Sequence, residues 1–229
     1  KNPVEGQKHI YRFQDNIVTR YIKMNIYESS DEWLGFVQDF SRQINEINRP
    51  DRFAELDPVT RLLSYPSFSN KIRKIIPDLK HCCLATLYVH GLDKLGSYLT
   101  VDNANSCLTS VAETIKGFSS DKIIIGSKSN YEICAFFCDF DKKDIYTVLN
   151  SMDEAVQNCV LTDDFGEIID ISDKSRLSLS IGCSSYPDEA SDFNMLVNYS
   201  EFALYEARTE RRSVINWFNE SNYLREKDS

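Results

Sequence analysis

The sequence predicts an α/β domain, a mixed β-sheet flanked by helices, preceded by a short helical N-terminal segment. Three observations carry this. From about residue 57 onward, apolar strings of strand length alternate with amphipathic stripes in the order β-α-β-β-α-β-α-β, which fits a mixed sheet with helices packed on it rather than a doubly wound Rossmann sheet. The first fifty residues carry only stripes of 3-4 spacing. The 229 residues, 42% hydrophobic and 12% aromatic, suffice for one sizeable core with an appendage.

In chain order, Ile10, Phe13, Ile17, Tyr21 and Met24 make one helical stripe. Ser29 and Glu32 have capping-box spacing, and Trp33, Val37, Phe40, Ile44 and Ile47 then step 4-3-4-3 before Pro50. Residues 1–50 are therefore expected to form either a helical hairpin packed on the main domain or a signalling stalk, with a homodimer through residues 8–49 as the partner-facing version. Ser67–Ile76 reads as a helix stopped by Pro77. Cys82–Val89 is a buried strand, and Ala104–Phe118 a helix through Leu108, Val111, Ala112 and Ile115. Lys122–Ile125 and Glu132–Phe137 form an antiparallel hairpin around a turn-rich string, and Asp141–Cys159 is a helix that Asp141 can cap. Leu177–Cys183 is a strand, Asp192–Arg208 the last helix, Val214–Phe218 an edge strand, and residues 221–229 a tail. The expected division is 1–50, 51–220 and 221–229.

Charge and cysteine usage narrow the function classes. Lys and Arg number 26 against 35 Asp and Glu, a net charge of −9, so the segment has no general positive field for a nucleic acid. No stretch reaches the ~18–20 apolar residues of a membrane span. Seven cysteines without a C-x-x-C pair, mostly in apolar strings, read as reduced thiols of a cytoplasmic protein. The chain opens on Lys1 and has no signal-peptide pattern, which suggests a piece of something longer with further signalling domains attached.

Four segments in order, over roughly residues 57–218, resemble the GGDEF domain of bacterial diguanylate cyclases. Asp57-Pro-Val-Thr-Arg-Leu-Leu-Ser-Tyr-Pro-Ser-Phe68 resembles D-x-L-T-G-L-x-N-R-x-x-F, keeping Asp57, Thr60, Leu62 and Phe68. Ser178, Ser180 and Gly182 through Pro187 resemble the T-x-S-x-G-x-x-x-x-P strand and loop. Ser200 to Arg208 follows A-D-x-A-L-Y-x-A-K, with Arg212 near the arginine of G-R-N. The fourth segment is the signature, where G-G-D/E-E-F becomes Ser129, Asn130, Tyr131, Glu132 and Ile133. The resemblance implies cyclic-di-GMP signalling, in which two GTP molecules are joined as a 3′-oxygen attacks the partner's α-phosphate with metal ions bridging the phosphates.

The departures fall on the chemistry. Hard Mg²⁺ takes carboxylate, phosphate and water oxygens, so Tyr131 in place of an Asp or Glu removes a ligand. The other carboxylate ends the first strand in the family pattern; here that position falls on Gly91 or, one residue shifted, His90, with Asp93 as the retained acid. A histidine at a strand end is more often structural than a ligand, and His9 and His81 offer less still. Ser129 and Asn130 replace glycines whose freedom lets backbone approach a triphosphate. Asn105 matches the guanine-reading Asp, offering a carbonyl without charge. Ser119–Lys128 contains no arginine, so the family's R-x-x-D product-inhibition motif is missing. Asp139/Asp141 and Asp163/Asp164 read as caps and loops, and Cys134 and Cys138 as core fillers.

The expectation is a catalytically inactive GGDEF-like regulatory or interaction domain, able to bind GTP or another guanine nucleotide through Asn105, Asn130, Glu132 and Arg212, or to contact a protein partner. No cofactor is expected. The alternatives are a residually active cyclase or GTP hydrolase holding one Mg²⁺ on Asp93 and Glu132, and an inert linker domain of a longer transcriptional regulator or sensor.

Overall fold

The structure, a computed structural model, describes residues 3–4, 7–14, 19–29, 32–39, 55–92, 101–129, 131–163, 165–171, 176–209 and 214–227. The chain divides into two units, Lys1–Phe53 and Ala54–Ser229.

The smaller unit corrects the expected helices. Its strands β1 (Pro3–Val4), β2 (Gln7–Gln14), β3 (Thr19–Ser29) and β4 (Glu32–Asp39) form an antiparallel sheet in that order. In β3 and β4 the register runs from Ser29↔Glu32 to Ile22↔Asp39 without a break. The same residues satisfy two periods: Ile22, Met24 and Ile26 alternate with Lys23 and Asn25, and the Tyr, Ile, Thr, Trp and Phe content favours strands over helices. Residues 40–54, where the second helix was to end, lie outside the described residues.

The larger unit follows the reading element by element. Helix α1 (Tyr65–Ile75) starts at Ser64, whose hydroxyl accepts from Ser67 N at 3.4 Å, and passes into a 3₁₀ turn, Ile76–Asp78, that includes Pro77. Next come β5 (Cys82–His90), α2 (Val101–Lys116), the hairpin β6 (Ile123–Ser129) and β7 (Glu132–Cys138), α3 (Lys142–Gln157), β8 (Ser178–Tyr186), α4 (Phe193–Thr209) and β9 (Val214–Trp217). Asp141 occupies the N-cap position of α3, though its side chain makes no cap bond. The expected tail instead contains a helix, α5 (Glu220–Lys227). It is short and polar, hence unmarked by periodicity, and it holds through Asn219 Oδ1 accepting from Asn222 N at 3.2 Å and through aromatic contacts. Phe218 stacks on Tyr199 with centroids 3.8 Å apart, and Tyr223 meets both rings edge-on.

The sheet order is β6-β7-β5-β8-β9, antiparallel except for β8–β9, and each face carries its own core. Cys83, Ala85, Leu87 and Val89 of β5 face one layer, with Phe137, Val111, Ile115, Leu149 and Met152. Cys82 and Leu84 face the other, with Phe68 and Ile72 of α1, Phe136, and Leu196 of α4. Both faces being covered explains why β5 and β7 read as continuous apolar runs rather than alternations.

Two glycines set the closeness of the second layer. A Cβ on Gly182 would collide with the backbone of α4 at Ser200 O and Leu204 N, and one on Gly126 would lie 2.7 Å from Phe68. Beside Gly182, the buried hydroxyls of Thr86 and Ser200 share a 2.9 Å hydrogen bond and Ser184 donates to Leu196 O at 2.7 Å. These polar residues are buried because each has a partner.

Candidate functional site

The site is built where β5 ends and the β6–β7 hairpin turns. Asp57 opens it: its Oδ1 accepts from Thr60 N at 2.8 Å, Thr60 Oγ1 at 2.9 Å and Val59 N at 3.2 Å, closing an Asx turn. Thr109 of α2 pins that turn by donating to Val59 O at 3.0 Å. The turn sets Arg61 at φ +56°, a left-handed conformation that suits the glycine of the resembled motif. Ser127 N donates to Leu63 O at 2.8 Å, so the segment also borders β6.

A cavity of about 320 Å³ lies between this turn, α2 and the hairpin, with Asp57, Thr60, Asn105, Ser127, Ser129 and Tyr131 in its lining. Asn105 is exposed at its mouth. Tyr131 takes up space here as its half-buried ring packs on the core layer of β5, and its carbonyl accepts from Val89 N at 2.9 Å. The hairpin pairs β6 with β7 with a register shift between Ser127 and Ser129.

Glu132 turns to the opposite face. It lines a second cavity of about 730 Å³ with Lys128, Glu201, Tyr205, Arg208 and Thr209. There Lys128 Nζ lies 2.6 Å from Glu201 and 3.3 Å from Glu132, with the lysine side chain only 15% exposed. Burial pulls the Lys128 pKa down, but its hydrogen bond to Glu201, with the Cys134 thiol and the two carboxylates nearby, outweighs burial and holds the ammonium above its ordinary range. Lys128 lines both cavities.

The end of β5 is filled by rings. The Arg208 guanidinium lies 3.8 Å over Tyr88, which meets His90 edge-on at 4.9 Å and Tyr131 at 6.5 Å. His90 Nε2 is 2.7 Å from Ser180 Oγ, and Gly91 follows at φ +97°. Burial pushes the nearby Cys134 thiol up to about 12.

Of the residues singled out by sequence, Asn105, Ser129 and Tyr131 share one cavity, Glu132 belongs to the other, and Ile133 is a core residue 1% exposed. Asp93, Asn130 and Arg212 lie outside the described residues. Asp163 accepts from Phe165 N and Glu167 N at 2.9 Å each, as a loop-forming acid does. Among the described residues, no three His, Cys, Asp or Glu side chains group to hold a metal, and no helix is long and apolar enough to cross a membrane. Sequence reasoning missed Lys128 and the role of Glu201. The spacing of Lys128 and Glu132 across a hairpin was a signal for the first pair, whereas the helix α4 partner carried none.

Comparison with protein-family models gives no match, and comparison with curated proteins gives none. Solved structures do match. The GGDEF domain of DgcB from Caulobacter crescentus, in complex with c-di-GMP, superposes with a TM-score of 0.64 at 15% identity over 72% of this chain and 96% of that one. The GGDEF domain of TpbB (YfiN) from Pseudomonas aeruginosa gives 0.63 at 15% identity, covering 72% and 94%. The diguanylate cyclase SiaD from Pseudomonas aeruginosa, in complex with its activator SiaC, gives 0.63 at 15% identity, covering 78% and 67%. With the sheet order, the α4–β8 packing and the hairpin in place, the larger unit of this chain has the fold of the GGDEF domains of cyclic-di-GMP signalling proteins.

Proposed function

We propose that residues 54–229 act as a catalytically inactive GGDEF-like module that serves regulation or interaction in a signalling protein. The observation that carries the reading is the state of Glu132, the retained signature carboxylate, which is paired with a Lys128 that Glu201 also holds. A metal ion at Glu132 would have to displace a half-buried ammonium. Tyr131 supplies no charge where the signature has a carboxylate, and the strand end offers His90, whose ring is bonded to Ser180, and Gly91. These residues do not fit a Mg²⁺ ion holding a triphosphate.

What the module retains is the cavity beside Asn105 and Asp57, of a size for one heterocyclic ring system, so a guanine nucleotide held without turnover is the ligand we assign to it. Contact with a protein partner is the other regulatory use; SiaD, a structural neighbour, is in complex with its activator.

Calorimetric titration of GTP with Mg²⁺ into the full chain, followed by chromatography of the same samples, tests this. Binding without cyclic-di-GMP or GDP is expected. Product above a Glu132→Ala control overturns inactivity, and absence of binding overturns the nucleotide assignment and leaves the partner role. Restoring carboxylates by Tyr131→Asp with His90→Asp is expected to leave the protein inert, because Lys128 still occupies Glu132.

A further inference from the structure

At the opposite end of the sheet from the site, two thiols face each other across neighbouring strands. Cys82, the first residue of β5, pairs directly with Cys138, the last of β7. The type of pair follows from the hydrogen bonds on either side: Asp139 N donates to His81 O and Val89 N to Tyr131 O, both at 2.9 Å, so the odd-numbered positions of β5 are the hydrogen-bonded pairs. Cys82 and Cys138 therefore form a non-hydrogen-bonded pair, the closer kind, with Cα atoms about 4.5 Å apart, inside the roughly 4.4–6.8 Å that a disulfide spans.

Both side chains lie on the same face, in the layer with Phe68 and Phe136, and both are free thiols. Register and shared face thus bring the two thiols side by side. Cys83 and Cys183 also touch, but their register partners are Ser185 and Ala85, so they are diagonal neighbours. Diagonal spacing of roughly 7–8 Å lies beyond disulfide reach. Cys134 has Thr86 opposite it.

We propose that Cys82 and Cys138 are a modification site, an oxidisable pair that closes to a cross-strand disulfide with a low-molecular-weight disulfide as oxidant. The Cys138 thiolate attacks one sulfur of oxidised glutathione, breaking its S–S bond and releasing one glutathione thiolate. The Cys82 thiolate then attacks Cys138 Sγ and expels the second. Two protein thiols lose two protons and two electrons, and one glutathione disulfide becomes two glutathione thiols. Cys138 is the entry point: burial and Asp139 raise its pKa, yet Lys71 and Lys122 oppose them, whereas burial, Cys138 and Asp139 together push Cys82 up to about 12. Cys138 is also the more exposed of the two, at 7% against 4% for Cys82.

The test is incubation of the folded full chain with oxidised glutathione, followed by non-reducing peptide mapping by mass spectrometry. One intrachain crosslink joining the Cys82 and Cys138 peptides is expected, with Tm raised by roughly 5–10 °C and restored by dithiothreitol. In Cys82→Ala the crosslink is replaced by a glutathione adduct on Cys138. A crosslink of equal yield between other cysteines, an adduct that stays on Cys138 in the unsubstituted chain, or thiols that react only in urea would each overturn the proposal.

Discussion

The two faces of helix α4 meet different surroundings. On the sheet-facing side, Ser200 and Leu204 press on Gly182, Thr86 and Ser200 share a hydrogen bond, and Ala203 and Ala207 are fully buried. On the other side, Glu201, Tyr205 and Arg208 line the cavity beside the β6–β7 hairpin, where Glu201 meets Lys128 and Arg208 lies over Tyr88. The sheet-facing side leaves no room for a Cβ at Gly182, while the cavity-facing side carries an ion pair and a cation–ring contact. Fold and chemistry are thus separable within one helix.

Substitution at the sheet-facing side should break this contrast most. Gly182→Ala drives α4 off the sheet and is expected to cost about 3 kcal/mol or more in urea unfolding; a cost within about 0.5 kcal/mol would place the two sides on a par. The second largest effect is alkaline. Cys82 and Cys134 are pushed up to about 12 when folded, while an unfolded thiol titrates near ~8.5–9. The unfolded chain therefore loses these protons first. Their contribution is complete below about pH 9 and is lost as pH rises toward 12, so the urea midpoint under reducing conditions should fall steadily across that window. A midpoint flat from pH 9 to 11 would show that the buried layer yields its protons without cost.

At the cavity-facing side, Lys128→Met should cost only about 1 kcal/mol in the same unfolding assay, since Glu132 and Glu201 are partly exposed and water screens the loss. Arg61→Gly is the smallest and opposite in sign. It relieves the left-handed conformation at φ +56°, offset in part by the entropy a glycine gains on unfolding, for a net stabilisation of roughly 0.5 kcal/mol measured as a rise in Tm.

Most strands and helices of the larger unit were legible because burial on both faces leaves unbroken apolar runs between Pro, Gly and Asp punctuation, as at Cys82–His90 and Glu132–Cys138. The N-terminal strands were not, since stripes such as Ile10, Phe13 and Ile17 fit a helix while Ile22, Met24 and Ile26 fit a strand, and pairing decides between them. The site was half legible. Tyr131 and Asn105 announced their chemistry by type, but whether Glu132 was available depended on Glu201, some seventy residues away, and on which face of the hairpin each side chain takes.

The central strand β5 also governs the order in which the chain can assemble. Its partners in β8 match Cys82 with Tyr186 and His90 with Ser178, the most distant pairings of the sheet, whereas β6 and β7 meet across one turn. The hairpin can close within microseconds of local search, but β8 must await a large loop closure, and β9 joins only after α4 has crossed over. Refolding is thus expected to be limited by the docking of β8, with the β6–β7 hairpin already formed when the rate-limiting step begins.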